Sequence, residues 1–276
     1  MNIAILSGKG GTGKTTVSTN LVKILKASYI DADVEEPNGF IFLKPDITKK
    51  EEVKVIYPLV DDEKCIMCGK CAEACQFNAL AKTKKDIILF EKLCHGCGVC
   101  EIVCPVGAVH YEERTTGVIE EGLSEGTVCK RGLLNIGEPM AVPVIKTLLK
   151  KANEGINIID CSPGTSCNVV NILQSVDAAA LVTETTEFGL HDLKLAVELV
   201  RKFNIPFGVI INKEINKHNI IRDYCKNENI NVFGAVPYSR EVAEIYSKGK
   251  MLVENDKYKK IFKNIASEME VVISWN

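Results

Sequence analysis

A chain of 276 residues that is 46% hydrophobic and 25% charged can bury one sizeable core and carry a small module besides. Its formal net charge of -2 and pI ≈ 6.2 exclude the broad positive field by which proteins hold nucleic acid. No apolar run is long enough to span a bilayer, and Met1 leads straight into an apolar stretch without a signal peptide, so a cytoplasmic chain with reduced thiols is expected.

Residues 2–6 read as a strand running into Gly8-Lys9-Gly10-Gly11-Thr12-Gly13-Lys14-Thr15, followed by a helical run over 16–26. This is G-x-x-x-x-G-K-[ST] in the strand-loop-helix context that the motif requires. Gly8, Gly10, Gly11 and Gly13 permit close backbone approach, so that the loop amides, with Thr12 and Thr16, cradle phosphate oxygens at a helix N-terminus. Lys14 is expected to reach the β- and γ-phosphates of ATP, and the Thr15 hydroxyl to hold Mg²⁺. Residues 28–33 read as a second strand ending at Asp31 and Asp33.

Two runs of C-x2-C-x2-C-x3-C follow, Cys65-Cys68-Cys71-Cys75 and Cys94-Cys97-Cys100-Cys104, forming an internal repeat offset by 29 positions. The repeat resembles two-cluster bacterial ferredoxins, in which the fourth cysteine of each run ligates the other cluster. That resemblance assigns Cys65, Cys68, Cys71 and Cys104 to one [4Fe-4S] cluster and Cys94, Cys97, Cys100 and Cys75 to a second. Gln76 departs from the usual Cys-Pro that Pro105 supplies in the second run. Structural zinc is the alternative for such thiolates. The segment 58–112 is expected to be an inserted ferredoxin-like domain, with 1–57 and 113–276 forming the nucleotide-binding domain. Eight acids against six lysines make the insert only mildly acidic.

Beyond the insert, an apolar run over 156–159 precedes Asp160-Cys161-Ser162-Pro163-Gly164. Strand patterns over 177–183, 207–212 and 231–236 alternate with helical ones over 190–203 and at the C-terminus. Strands separated by helices of this length predict an α/β fold, a mostly parallel sheet covered on both faces.

The GKGGTGKTT signature resembles the deviant P-loop ATPases, the MinD, Mrp and nitrogenase iron protein group. With the cysteine insert and DCSPGTSC, the whole chain resembles MinD-superfamily ATPases carrying a ferredoxin domain. The resemblance implies a homodimer that sandwiches nucleotide, with Lys9 reaching the partner's phosphates; a solvated loop lysine is the alternative. It makes Asp33 the residue that orients the attacking water, Asp31 a support for the metal or Lys14, and Asp160 a Mg²⁺ ligand through water. Gly164 would sense the γ-phosphate, and Asn212 and Pro237 would bracket the adenine. Loop capping remains open for Asp31 and Asp33, helix capping for Asn212, and a plain turn for Pro237.

Cys161 and Cys167 do not match the spacing that relatives use for a cluster shared between subunits. The apolar stripe Tyr258, Ile261, Phe262, Ile265 and Met269 is expected to be core packing rather than a membrane tail. The expected function is an ATPase that hydrolyses ATP slowly without a partner and gates electron transfer through two clusters to an unidentified redox protein. Delivery of clusters to an apo-iron-sulfur protein is the alternative, and a MinD-like positioning scaffold a third.

Overall fold

The computed structural model describes residues 1–274. Eleven strands are present among them: β1 (Asn2–Leu6), β2 (Ser28–Asp31), β3 (Asp46–Val60), β4 (Leu80–Lys82), β5 (Ile87–Leu89), β6 (Val109–Ser124), β7 (Thr127–Leu134), β8 (Asn157–Asp160), β9 (Ala178–Glu184), β10 (Phe207–Glu214) and β11 (Val232–Pro237). Nine form one sheet in the order β11-β10-β9-β1-β8-β2-β7-β6-β3, and β4-β5 is a separate hairpin. Every neighbouring pair from β11 to β7 is parallel, whereas β6 and β3 are antiparallel to their neighbours. The α/β expectation with a mostly parallel sheet is therefore met.

Alternation along the central strands explains the layers, because successive side chains leave a strand on opposite faces. On β1, Ile3 and Ile5 pack with Val17, Leu21 and Phe262, while Ala4 and Leu6 pack with Ile172, Val197 and Val200. The helix Lys14–Leu25 and the last helix, Asp256–Ile273, therefore cover one face. The helices Val142–Leu149, Cys167–Leu173, Glu187–Arg201 and Ile220–Asn227 cover the other. In the last helix, Tyr258, Phe262, Ile265 and Met269 are at most 1% exposed. At about 1.5–3 kcal/mol for each large apolar side chain buried, this stripe is core rather than a membrane tail. No helix of the described residues is long and apolar enough to cross a membrane.

The expected alternation of strand and helix is broken by the ribbon of β3 and β6. They pair from Asp46↔Leu123 to Val60↔Val109, so that β3, at about 3.4 Å per residue, runs roughly 50 Å. The inner half of β6 joins the main sheet through β7, from Gly117 to Ser124. The outer half leads to residues 61–108, which contain both cysteine runs, the β4-β5 hairpin and the one-turn helices Lys70–Glu73 and Val99–Ile102. Partly exposed cross-strand charge pairs flank the ribbon, Lys50 to Glu120 at 3.4 Å and Lys54 to Glu113 at 3.3 Å, and its first half, Asp46 to Glu52, shows no apolar alternation.

Candidate nucleotide and sulfur sites

The glycine loop leaves β1 at the carboxyl end of the sheet, between β8 and β9, where ligands of open α/β sheets bind. It opens onto a cavity of about 420 Å³, the size of a small-molecule site. Gly10, Gly11, Thr12, Gly13, Lys14, Thr15 and Thr16 line it, with Asp33, Asn212 and Pro237. Gly13 is the residue before the helix and has φ 91°, a left-handed conformation that favours glycine. A Cβ there would also meet Asn212 Nδ2 at 2.1 Å. Asn212 instead donates to the Thr12 carbonyl at 2.7 Å, tying β10 to the loop. Gly8 lies outside the cavity lining and packs on the backbone of Asp192, where a Cβ would come within 2.3 Å.

Three carboxylates gather under the loop. Asp160 is buried, its Oδ2 accepts from the Tyr29 hydroxyl at 3.1 Å, and its Oδ1 makes no hydrogen bond of good geometry. An orphaned buried carboxylate oxygen is costly unless a cation or ordered water completes it. Burial pushes the Asp160 carboxyl above the usual range, opposed by the Lys14 ammonium and then by Thr15. This donor set suits a hydrated Mg²⁺.

Asp33 is pushed up to about 6, chiefly by burial, with Lys14 pulling the other way. Asp31 accepts from the Tyr29 hydroxyl at 3.0 Å, from the Gly39 amide at 2.9 Å and from the Asp33 amide at 3.3 Å. Asp31 is thereby the anchor of the loop that presents Asp33. Tyr29, in sequence no more than a strand residue, joins Asp31 to Asp160 through one buried phenol.

Lys9 and Gly164 both have partners inside the chain. Lys9 Nζ lies 2.5 Å from Glu184 Oε1, and Lys213 lies 3.2 Å from the other oxygen of the same carboxylate. The Gly164 amide donates to the Ser7 carbonyl at 2.9 Å, and the cavity is lined by its neighbour Pro163. Cys161 is fully buried beside Asp160 and its Sγ donates to the Ile159 carbonyl, while Cys167 is exposed. The two do not form a common surface for a group shared between subunits.

The cysteine runs fold into two small cavities. One is lined by Cys65, Cys68, Cys71 and Cys104 with Val60, Ile66, Ile87 and Val109. The other is lined by Cys75, Cys94, Cys97 and Cys100 with Pro58, Leu80 and Tyr111. Gly69 and Gly98, with φ 85° and 84°, make the left-handed turns that start the two short helices. Backbone amides point at sulfurs in both sets, Ala108 to Cys104 at 3.2 Å and Ala79 to Cys75 at 3.3 Å. Among the described residues no three cysteine, histidine or carboxylate side chains converge tightly enough for a single metal ion. In each set, four thiols surround an apolar void. His95 is exposed and stacks on Phe77, ring centroids 3.8 Å apart.

A series of contacts joins the two ends of the molecule. Val34, next to Asp33, accepts from the Leu134 amide at 2.8 Å, and the Asn135 amide donates to the Thr116 carbonyl of β6 at 2.9 Å. Glu138 in the same loop is forked by Arg114 of β6. Lys92, two residues before Cys94, donates to the Gly137 carbonyl at 2.9 Å.

This sheet order, phosphate loop and carboxylate set define a P-loop nucleotide-binding protein. The CobQ/CobB/MinD/ParA nucleotide binding domain matches residues 3–253, and the chain belongs to that family. An uncharacterised protein of Methanocaldococcus jannaschii is 31% identical over 283 residues, covering 99% of this chain and 98% of that one. The iron-sulfur cluster carrier protein of Pyrococcus horikoshii is 29% identical over 245 residues, covering 84% of this chain and 66% of the relative. Among solved structures, the septum site-determining protein MinD of P. horikoshii, complexed with Mg-ADP, superposes with a TM-score of 0.58 at 20% identity. That superposition covers 98% of this chain and 95% of MinD, and shows the fold.

Proposed function

We propose that this chain is a Mg-ATP-dependent ATPase holding two [4Fe-4S] clusters, and that nucleotide state gates electron transfer through them. The observation that carries the reading is the pair of four-thiol cavities, set at the end of a ribbon rooted in the nucleotide-binding sheet. Their apolar linings and inward amides suit a cube whose corners each take one thiolate, and bound clusters would supply one-electron redox chemistry. Residues 58–112 are read as the inserted ferredoxin-like domain.

In the nucleotide cavity, the loop amides and Lys14 hold the phosphates, while Thr15 and Asp160 hold Mg²⁺ through its ligand shell. Asp33 accepts a proton from the attacking water and sets its line of approach to the γ-phosphorus. Asn212 and Pro237 face the base. Lys9 becomes available to a second copy's phosphates when it leaves Glu184, and Gly164 to a γ-phosphate when it leaves Ser7. A homodimer that sandwiches nucleotide follows from that role of Lys9, and a redox protein of low potential is the expected partner.

Asp33 also gives a pH dependence. A carboxyl raised to about 6 is neutral below that pH and accepts no proton there. ATP turnover should therefore fall with the slope of one proton as pH drops through about 6. Asp33→Asn should keep nucleotide binding and lose turnover by roughly 10²-fold or more. Steady-state phosphate release between pH 5 and 8 checks both; a flat profile in the wild type contradicts the assignment.

Cluster delivery is favoured as a second reading by the relatives named iron-sulfur cluster carrier protein. Anoxic incubation with an apo-ferredoxin separates the two. Retention of about eight irons per chain in the presence of ATP supports the electron carrier, and ATP-dependent loss to the acceptor supports delivery.

A further inference from the structure

Tyr111 lies on β6 opposite Pro58 of β3, and both line the cavity of Cys75, Cys94, Cys97 and Cys100. The Tyr111 hydroxyl is 3.3 Å from Cys100 Sγ. A cysteine that ligates iron is a thiolate without a proton, so in that state the phenol is the donor. The repeat does not provide the same bond twice. At the offset of 29, Cys71 corresponds to Cys100 and Lys82 to Tyr111. Lys82 lays its aliphatic stem over Gly69, where a Cβ would meet Lys82 Cδ at 2.6 Å. Among the described residues, no side-chain hydroxyl or amine hydrogen-bonds to Cys65, Cys68, Cys71 or Cys104.

Backbone amides serve two sulfurs of this set, Cys75 and Cys94, and one of the other, Cys104; among the described residues the phenol is the one side-chain hydroxyl that separates them. A hydrogen bond to a ligating sulfur stabilises the reduced, more negative cluster and raises its potential. We propose that Tyr111 is a positioning residue that makes the cluster held by Cys75, Cys94, Cys97 and Cys100 the more oxidising of the two. The inference rests on the two-cluster reading above.

The location of this site gives the asymmetry a direction. Pro58 and Tyr111 line it, whereas Val60 and Val109, two residues further out on the ribbon, line the other. Gly96 of the same set packs on the Ile56 carbonyl, where a Cβ would come within 2.9 Å. One electron from an external low-potential donor protein therefore comes to rest on the side nearer the nucleotide-binding sheet.

The test is an anoxic redox titration with dithionite, followed by electron paramagnetic resonance, of wild type, Tyr111→Phe and Tyr57→Phe. Phenylalanine keeps the ring and its packing. Tyr57 serves as control because its hydroxyl donates to exposed Glu112 and touches no cysteine. In Tyr111→Phe the higher of the two midpoint potentials should fall and the gap narrow. One exchangeable proton coupled to the reduced cluster should also disappear from the electron-nuclear double resonance spectrum. Tyr57→Phe should change neither. Unchanged potentials, or equal shifts of both, in protein loaded with about eight irons would overturn the role of Tyr111 and leave the two-cluster reading standing. Iron far below that level would overturn the two-cluster reading itself, before any potential is measured.

Discussion

Lys14→Ala should reduce ATP hydrolysis by 10²-fold to 10³-fold or more, the order expected when one preorganised transition-state donor is lost. Nucleotide affinity should fall at least tenfold, since only the loop amides and Mg²⁺ remain to balance the phosphates. Lys14 is 8% exposed, lines the cavity, and is the cation whose charge pulls down both Asp33 and Asp160. The cysteine cavities lie at the far end of the ribbon, so the visible absorption of the variant should match that of the wild type. Nucleotide titration and phosphate release, read beside that spectrum, separate loss of the site from loss of the fold. Turnover within threefold of the wild type would remove Lys14 from the chemistry.

Cysteine variants should lose iron in a pattern that reports how the two runs cross. Cys104→Ala opens the cavity that Cys65, Cys68 and Cys71 share with it, and about four irons should be lost of about eight. Adding Cys71→Ala should change little, because both residues line one cavity. Adding Cys100→Ala should take the remaining irons, because it breaks the second. The cycle works because mutations within one site are non-additive and those in separate sites add. If Cys71→Ala and Cys104→Ala each removed a different half of the iron, each run would be holding its own cluster.

The parts of the molecule that sequence made visible share one property: their chemistry lies within a few consecutive residues. The glycine loop, the Asp160 strand end and the two cysteine runs are of this kind, and the buried strands beyond them were legible from apolar runs. The β3-β6 ribbon was not legible, because Lys50 and Glu52 find their partners, Glu120 and Thr115, on β6, and Glu51 finds Lys151 beyond it, all distant in sequence. The pairing of Lys9 with Glu184 is hidden for the same reason. Tyr29 sits in an apolar strand, where a tyrosine reads as core; its hydroxyl takes on a role only when Asp31 and Asp160 come to lie on adjacent strands. Cys161 and Cys167 are six positions apart in sequence, yet Cys161 is buried just after β8 while Cys167 is exposed at the start of its helix.

The contacts from Val34 through residues 134–138 to Arg114 and Lys92 connect the loop of Asp33 with the approach to Cys94. A contiguous set of contacts is a route for coupling only if both ends bias it. The most direct measurement is therefore the midpoint potential of each cluster with and without a saturating non-hydrolysable ATP analogue and Mg²⁺. The account predicts that at least one potential shifts in the wild type and that neither shifts in Lys14→Ala. Identical potentials in the wild type, with the analogue shown to be bound, would contradict it.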